Sequence, residues 1–434
     1  MADTDLAPSA RPDSRHWKLA VAAGMASFLD SGAIISVGLG LALWEEKFGL
    51  DVWTVGVLGS ALTLFIAVGA LFGGRIADLF GRGRVFSVTI LVYAAAALAI
   101  ALAPNAAVLV AGVIVIGAAA GADLPTSIAV LSERAPTGAQ GRLVAFTHVM
   151  WTAGVLFTTS LGFAVSTLGT FGISLIFALL AVLGVATCAF RAFYPPFKEL
   201  EAEAAARHSA EGIDAATALP LRTLLTTRSF RTMLLLTALF YVFFTLVANT
   251  FGAYKTYFLV TVGDTTQTTA TALSFLTTII GLAGTAVFTR IADTKWRSRF
   301  FAGGVVVFTA CQLLIAITGG TVLPAMIAAL VLYNVAFPFI GEALYKIWTQ
   351  ESFPVNARAT AQGATMAAAR FLASGFALLT PALIDWSPSG LYYLLTVFSL
   401  AVGVIGTLIL RRVRAFEHRP PVSGTAATAA KEAR

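Results

Sequence analysis

The sequence predicts an all-α membrane protein: twelve transmembrane helices in two pseudo-symmetric six-helix bundles, with both termini cytoplasmic. Three observations lead there. Of 434 residues, 58% are hydrophobic and 12% charged, and the mean hydropathy is +0.84. A soluble chain carries roughly 25% charge, so this apolar surface exceeds what a core can hide and lipid must cover it. Apolar runs of about eighteen residues or more recur along the chain, each long enough to cross about 30 Å of hydrocarbon. Finally, one charged phrase is written twice, RIADLFGRGR at Arg75–Arg84 and RIADTKWRSR at Arg290–Arg299, about 215 residues apart.

The runs follow in order. The polar start MADTDLAPSARPDSRHWK (tail, 1–16) leads into run 17–43 with no small-residue cleavage site, so this run reads as a retained helix and not a signal peptide. Run 53–77 contains GALFG (Gly69–Gly73) and ends in the first charged phrase. After run 85–103, run 106–131 contains GAAAG (Gly117–Gly121) and ends in SERAP (Ser132–Pro136). The four-residue glycine spacing in both permits close helix approach and is a packing signal. Run 143–166 begins just after QGR of QGRLVAFTHVMW (Gln140–Trp151), and run 170–190 completes the first bundle, 17–190. The linker, 191–230, holds YPPFKELEAEAAARHSAEGIDAATALP, whose charges and prolines make it the one substantial soluble loop. The second bundle, 231–411, comprises runs 231–260, 267–289, 300–318, 322–347, 361–384 and 389–411, followed by the tail 412–434.

Lysine and arginine placement sets the orientation. Arg82, Arg84, Arg134, Arg142, Arg191, Arg222, Lys295, Arg297, Arg299, Arg358, Arg411 and Arg412 all fall on one side, which is therefore cytoplasmic; Lys47, beside Glu45 and Glu46, is the clear exception. A second echo, SERAP after the fourth run and ESFP (Glu351–Pro354) after the tenth, has nearly the same offset as the first. Two matched pairs at a constant offset indicate two homologous halves.

On these residues the chain resembles the major facilitator superfamily. Gly74, Asp78, Gly81, Arg82 and Arg84 fill that family's signature between spans two and three; Gly83 departs from it, where a basic residue is usual. The second copy keeps Asp293, Arg297 and Arg299 but has Trp296 in place of glycine. The resemblance implies a transporter in which Asp78, Arg82, Arg84, Glu133, Asp293, Arg297, Arg299 and Glu351 form a gating network that locks the halves while the cavity faces outward. Positive-inside anchoring explains the bases equally well, but not an acid at one position in both copies.

Six ionisable residues lie inside the runs: Asp30, Asp123, Lys255, Glu342, Lys346 and Arg370. Each costs about 2.5–3.5 kcal/mol or more at the bilayer centre, and three acids match three bases. Glu342 and Lys346, four residues apart, are placed to neutralise each other on one helix face; Lys346 is also placed to snorkel. Asp30, in FLDSGAIISVG, is either a satisfied packing acid or a proton carrier, since desolvation and a basic partner move a carboxyl's proton affinity in opposite directions. Sugar–proton symporters of the superfamily use an acid in this part of span one, paired with an arginine early in span four. Here Ala111 holds that position, and Asp123, beside Pro125, is the alternative proton-coupling acid.

QGRLVAFTHVMW is similar to the start of span five in sugar porters, with His148 where a sugar-binding glutamine stands. Imidazole both donates and accepts, so His148 either keeps that task or bonds a backbone carbonyl structurally. ANTFGAYKTYF places Asn249, Tyr254 and Tyr257 like that family's asparagine and paired tyrosines, without the preceding glutamines. Together with GADLPTS and GEALYKIWTQESFP, these stretches resemble bacterial inositol and metabolite symporters. The substrate-binding set so implied is His148, Trp151, Thr152, Asn249, Tyr254, Asn334, Glu342, Trp348 and Arg370, suited to a hydroxylated ring.

The expectation is proton-coupled uptake of a small polyol or sugar, myo-inositol first, by rocking of the two halves. Rival readings are an organic-acid:proton symporter, with Arg370 or Lys255 holding the carboxylate, a drug:proton antiporter, and a non-transporting nutrient sensor, ranked last for its short tail. No nucleophile–base pairing, phosphate loop or metal-ligand cluster points to an enzyme, a metal or a cofactor. Cys188 and Cys311 sit in separate apolar runs and read as buried thiols. The expected partners are the solute, protons and membrane lipid, without nucleic acid; the expected form is a monomer. Compact loops and the absence of an Asn-x-Ser/Thr acceptor suit a bacterial inner membrane.

Overall fold

A computed structural model of the protein describes residues 12–136, 139–211, 221–291, 294, 296–353 and 355–417. The helices are α1 (Ser14–Phe48), α2 (Val52–Phe80), α3 (Arg82–Ala101), α4 (Ala106–Arg134), α5 (Gln140–Ala164), α6 (Gly169–Phe193), α7 (Pro196–Glu211), α8 (Leu221–Thr226), α9 (Arg228–Thr261), α10 (Gln267–Ile291), α11 (Arg297–Thr318), α12 (Leu323–Ile340), α13 (Glu342–Ser352), α14 (Val355–Trp386) and α15 (Pro388–Glu417). Among the described residues, 11 helices are long and apolar enough to cross a membrane. The fifth expected run, α5, is a helix of 25 residues but is not one of the 11.

Local chemistry sets many helix ends. Asp13 caps α1 by accepting from the backbone N–H groups of Arg15 and His16, and Gly49 closes the helix at φ 60°. Burial raises the proton affinity of the Asp13 carboxyl, but hydrogen bonds from the His16 backbone and the Arg15 and His16 side chains outweigh it and hold the pKa at about 2. The cap is therefore lost only in strong acid, as pH falls through that value. Asp51 and Asn105 cap α2 and α4 in the same way, through Thr54 N and Val108 N. Between α2 and α3 the chain turns in one residue, Gly81, at φ 88°.

Two of the expected elements differ in form. Run 322–347 is not one helix: it breaks at Gly341, which is extended (φ −87°, ψ −158°), three residues after Pro338. The linker is also not simply a loop. In α7 it buries Phe197 and Leu200 against Leu19, Ala23, Phe86, Val130, Leu131 and Leu143, forming a second apolar core. Arg134 fastens it, with Nη2 2.9 Å from Glu201 and Nη1 donating to the Phe197 carbonyl at 3.1 Å. Arg15 adds Glu203 at 3.0 Å.

Arg191 is the other departure. Its sequence position marks the side of the membrane, yet its side chain is fully buried, as is that of Asp123. Nη1 donates to Asp123 Oδ1 at 2.7 Å and to the Phe86 carbonyl; Nε and Nη2 donate to the Ala22 carbonyl at 3.0 and 2.8 Å, and Nη2 to Ser127 Oγ at 3.2 Å. Thr89 donates to Asp123 Oδ1 at 2.9 Å, and the guanidinium lies 3.9 Å from the Phe86 ring centroid. One side chain therefore joins α1, α3, α4 and α6.

Helices α1–α6 meet α9–α14 closely toward the end where α1 stops. Gln267 Nε2 donates to the Leu39 carbonyl at 2.9 Å, Ser374 Oγ to the Ser60 carbonyl at 3.1 Å, and Phe163 stacks on Phe275 at 6.2 Å. Gly38 is needed there, because a Cβ would stand 2.7 Å from the Ala253 carbonyl oxygen.

Arg191→Ala strands a buried carboxylate and should lower unfolding free energy by about 3–5 kcal/mol, measured by denaturation in detergent. The double variant Asp123→Leu/Arg191→Met should recover most of that loss; an equally unstable double variant would contradict the pairing.

Candidate functional site

Midway along α1, Asp30 is 1% exposed. The Trp151 side chain of α5 lies beside its carboxylate, whose Oδ1 has no hydrogen-bond partner. The α1–α5 contact that sets this geometry is local: Ser31 Oγ donates to the Trp151 carbonyl at 2.9 Å. Gly154 lies against Ser31 and Phe28. On the exposed side of α5, the His148 ring lies parallel to Trp151, 6.0 Å away and 1° from coplanar.

The later helices supply the opposing wall. Just past the Gly341 break, Glu342 pairs with Lys346 at 2.6 Å along α13. Arg370 of α14 is close enough to act electrostatically on both Asp30 and Glu342. His148 in turn feels Glu342 and Lys346. Tyr241 of α9 lies beside Glu342 and stacks on Tyr345 at 4.1 Å, and Tyr345 shares a short hydrogen bond with Thr365. Four charges of alternating sign thus meet across the two groups of helices, rimmed by an imidazole, an indole and a phenol. Such a centre can orient a small polar solute and store a proton on a carboxylate.

The remaining expected residues divide. Asn249 reaches across to α2, where Thr63 Oγ1 donates to its Oδ1 at 3.4 Å. Thr152 turns its hydroxyl back to the His148 carbonyl at 3.2 Å. Tyr254 is 1% exposed and donates to the Ala377 carbonyl at 2.6 Å, its ring tight against Gly59. Asn334 Nδ2 donates to the Leu330 carbonyl at 2.9 Å, with Oδ1 beside Gly281. Trp348 is fully buried between Phe240 and Phe301, at 5.0 and 5.2 Å. In this conformation the Tyr254 and Trp348 side chains are closed in by packing, with at most 1% of either exposed. Asp123 lies in the ion pair with Arg191, apart from the centre.

Of the expected gating residues, Arg297 holds Glu351 with two bonds, Nη1–Oε1 at 2.8 Å and Nη2–Oε2 at 3.1 Å. Arg299 lies 4.8 Å from the Trp296 ring centroid, Arg84 is exposed and Glu133 partly buried. Asp293 and the side chains of Asp78 and Arg82 lie outside the described residues. Sequence reasoning missed Tyr241, which reads as one more aromatic in an apolar run, and the structural task of Arg191. The signal for Arg191 was a base just inside the end of α6, in a chain with an acid in α4.

Residues 20–378 match the family model of the Major Facilitator Superfamily. The chain is 30% identical over 383 residues to the minor myo-inositol transporter IolF of Bacillus subtilis, covering 86% of this chain and 85% of that protein. Over 132 residues it is 36% identical to the niacin transporter NiaP of Acinetobacter baylyi, covering 30% of this chain and 28% of that one. Its fold is similar to the crystal structure of a D-xylose–proton symporter, with a TM-score of 0.73 at 16% identity, covering 90% of this chain and 97% of the other.

His148→Ala should weaken solute binding about five-fold, the equivalent of one neutral hydrogen bond of about 1 kcal/mol. Equilibrium binding to purified protein checks this, and unchanged affinity would make His148 a structural residue.

Proposed function

The chain belongs to the Major Facilitator Superfamily, and from that premise we propose that it imports a small polyol or sugar with protons, myo-inositol being the first candidate. It is a multi-pass membrane transporter and not an enzyme. The observation that carries the proposal is Asp30: a carboxylate buried at mid-helix, with one oxygen unpartnered, facing Arg370 and Glu342 from the other group of helices.

In this reading α12 and α13 form one broken span and α5 completes twelve, in halves 17–190 and 231–411 joined by the cytoplasmic linker 191–230. Both termini face the cytoplasm of a bacterial cell, and the monomer is surrounded by plasma-membrane lipid. The contacts near Gly38, Ser60 and Gln267 then close the outer end, so the conformation is inward-facing. Asp30 takes up the proton in preference to Asp123, whose carboxylate already neutralises Arg191. While ionised, Asp30 attracts Arg370 across the divide; protonation removes that attraction and leaves Arg370 and the Glu342–Lys346 pair to the solute. His148, Trp151, Thr152 and Asn249 offer a ring its hydroxyl partners and an aromatic face. Tyr254, Asn334 and Trp348 reach it only if the halves repack on rocking. Asp78, Arg82, Arg84 and Glu133 in one half, with Asp293, Arg297, Arg299 and Glu351 in the other, form the inner gate when the cavity faces outward.

One observation favours organic-acid:proton symport as a second reading. Among the described residues Arg370 is in no ion pair, and once Asp30 is protonated it can receive a carboxylate; the niacin transporter is a relative over part of the chain.

Uptake of labelled myo-inositol into proteoliposomes should be stimulated by an inward proton gradient and blocked by polyols. Competition by carboxylates alone, nicotinate among them, would replace the first reading with the second. Asp30→Asn should abolish gradient-driven accumulation while retaining solute exchange; wild-type accumulation by that variant would remove Asp30 from proton coupling.

A further inference from the structure

Lys255 is an ionisable group inside the helices that the central site does not use. On α9, Phe251, Lys255, Phe258 and Leu259 share one face by their three- and four-residue spacing, and they line a small pocket with residues of α11, α12 and α15, among them Met326, Leu330 and Tyr392. Asn249 and Tyr257 leave α9 in other directions, toward Thr63 of α2 and Glu45 of α1. Lys255 therefore points into the later helices, away from the site shared with Asp30, and is not placed to hold a carboxylate there.

The pocket has an unusual imbalance of donors and acceptors. Lys255 is partly buried, while Phe251, Phe258, Leu259, Met326, Leu330 and Tyr392 are each less than 5% exposed. Among the described residues no acid lies within ion-pair distance of Lys255. Among the described residues no carbonyl or hydroxyl accepts from its ammonium, and the Tyr392 hydroxyl makes no hydrogen bond either. The ammonium brings three donors and Tyr392 a fourth, while the rest of the wall is aliphatic side chains, phenyl rings and a thioether. An unpaired cation among apolar walls costs several kcal/mol, and an anion removes that cost where a water only reduces it. The space admits about one water-sized guest, which excludes a lipid chain or a polyatomic acid.

We propose that the Lys255–Tyr392 pocket is a binding site for a single small monovalent anion of chloride's size. It lies near the ends of α9 and α11 and the beginnings of α12 and α15, so ions enter from the membrane face at which α1 ends. Binding there neutralises Lys255 and ties four helices together without contributing to the central site, so the proposal stands whatever solute is carried.

The full-length protein, purified in detergent, is unfolded thermally in sodium chloride, sodium bromide and sodium gluconate at equal pH and ionic strength. Chloride and bromide should each raise the transition by a few degrees, saturably, over gluconate. Lys255→Met should lose the difference while unfolding no lower than wild type in gluconate. Should that variant not fold, Tyr392→Phe serves in its place, with the half-saturating chloride concentration rising several-fold. Crystals grown in bromide should show an anomalous peak beside Lys255 Nζ. Equal unfolding of the wild type in all three salts would overturn the proposal, leaving Lys255 neutral or hydrated. So would a chloride effect that survives Lys255→Met, or one that is unaltered in Tyr392→Phe.

Discussion

Hydrocarbon offers no hydrogen bonds, so every backbone amide and charge left without a partner in the apolar part of this chain is costly. The backbone avoids that cost by being helical, and the side chains lower it by pairing across helices. Arg191 is the fullest case: five hydrogen bonds to α1, α3 and α4 and a ring beneath it leave its charge compensated by Asp123 and its donors largely used. Such a pair adds little net stability over apolar packing, because two desolvations offset the attraction. What it does supply is geometry, since four helices can meet it in only one rotation.

The same constraint separates the charges by task. Asp123 has a dedicated base and two hydroxyl donors, all on Oδ1, with Oδ2 unpartnered. Asp30 is equally buried and also has one empty oxygen, but its base is not in contact: the Arg370 guanidinium acts on it from a different group of helices. A carboxylate whose compensation depends on how two bodies sit can couple protonation to their movement. The two acids are therefore unequal although their sequence surroundings, small residues in an apolar run, look alike.

Close packing supports the rest. Gly38 lets α1 meet α9, and the Gly341 break turns α13 so that Glu342 and Lys346 face the centre. Beyond the lipid, α7 covers the ends of α1 and α4 with an apolar face and two arginine contacts. What reads as a charged connector is thus an amphipathic brace, its acids spaced to meet Arg15 and Arg134.

The sequence alone determined whatever depends on near neighbours or on the length of a bilayer. Apolar runs marked the helices, and the four-residue spacing of Glu342 and Lys346 marked their ion pair. Asp30 was legible as a costly charge at mid-span. Only the tertiary structure decided which way each helix is turned. That rotation set Arg191 on Asp123, 68 residues away, Arg370 toward Asp30, Tyr241 beside Glu342, Trp348 and Tyr254 into packing, and Lys255 toward the later helices. Helical periodicity defines faces but does not assign them neighbours when all faces are apolar, because lipid and protein then reward burial alike. The sparse polar contacts between helices break that tie, and they join residues far apart in the chain.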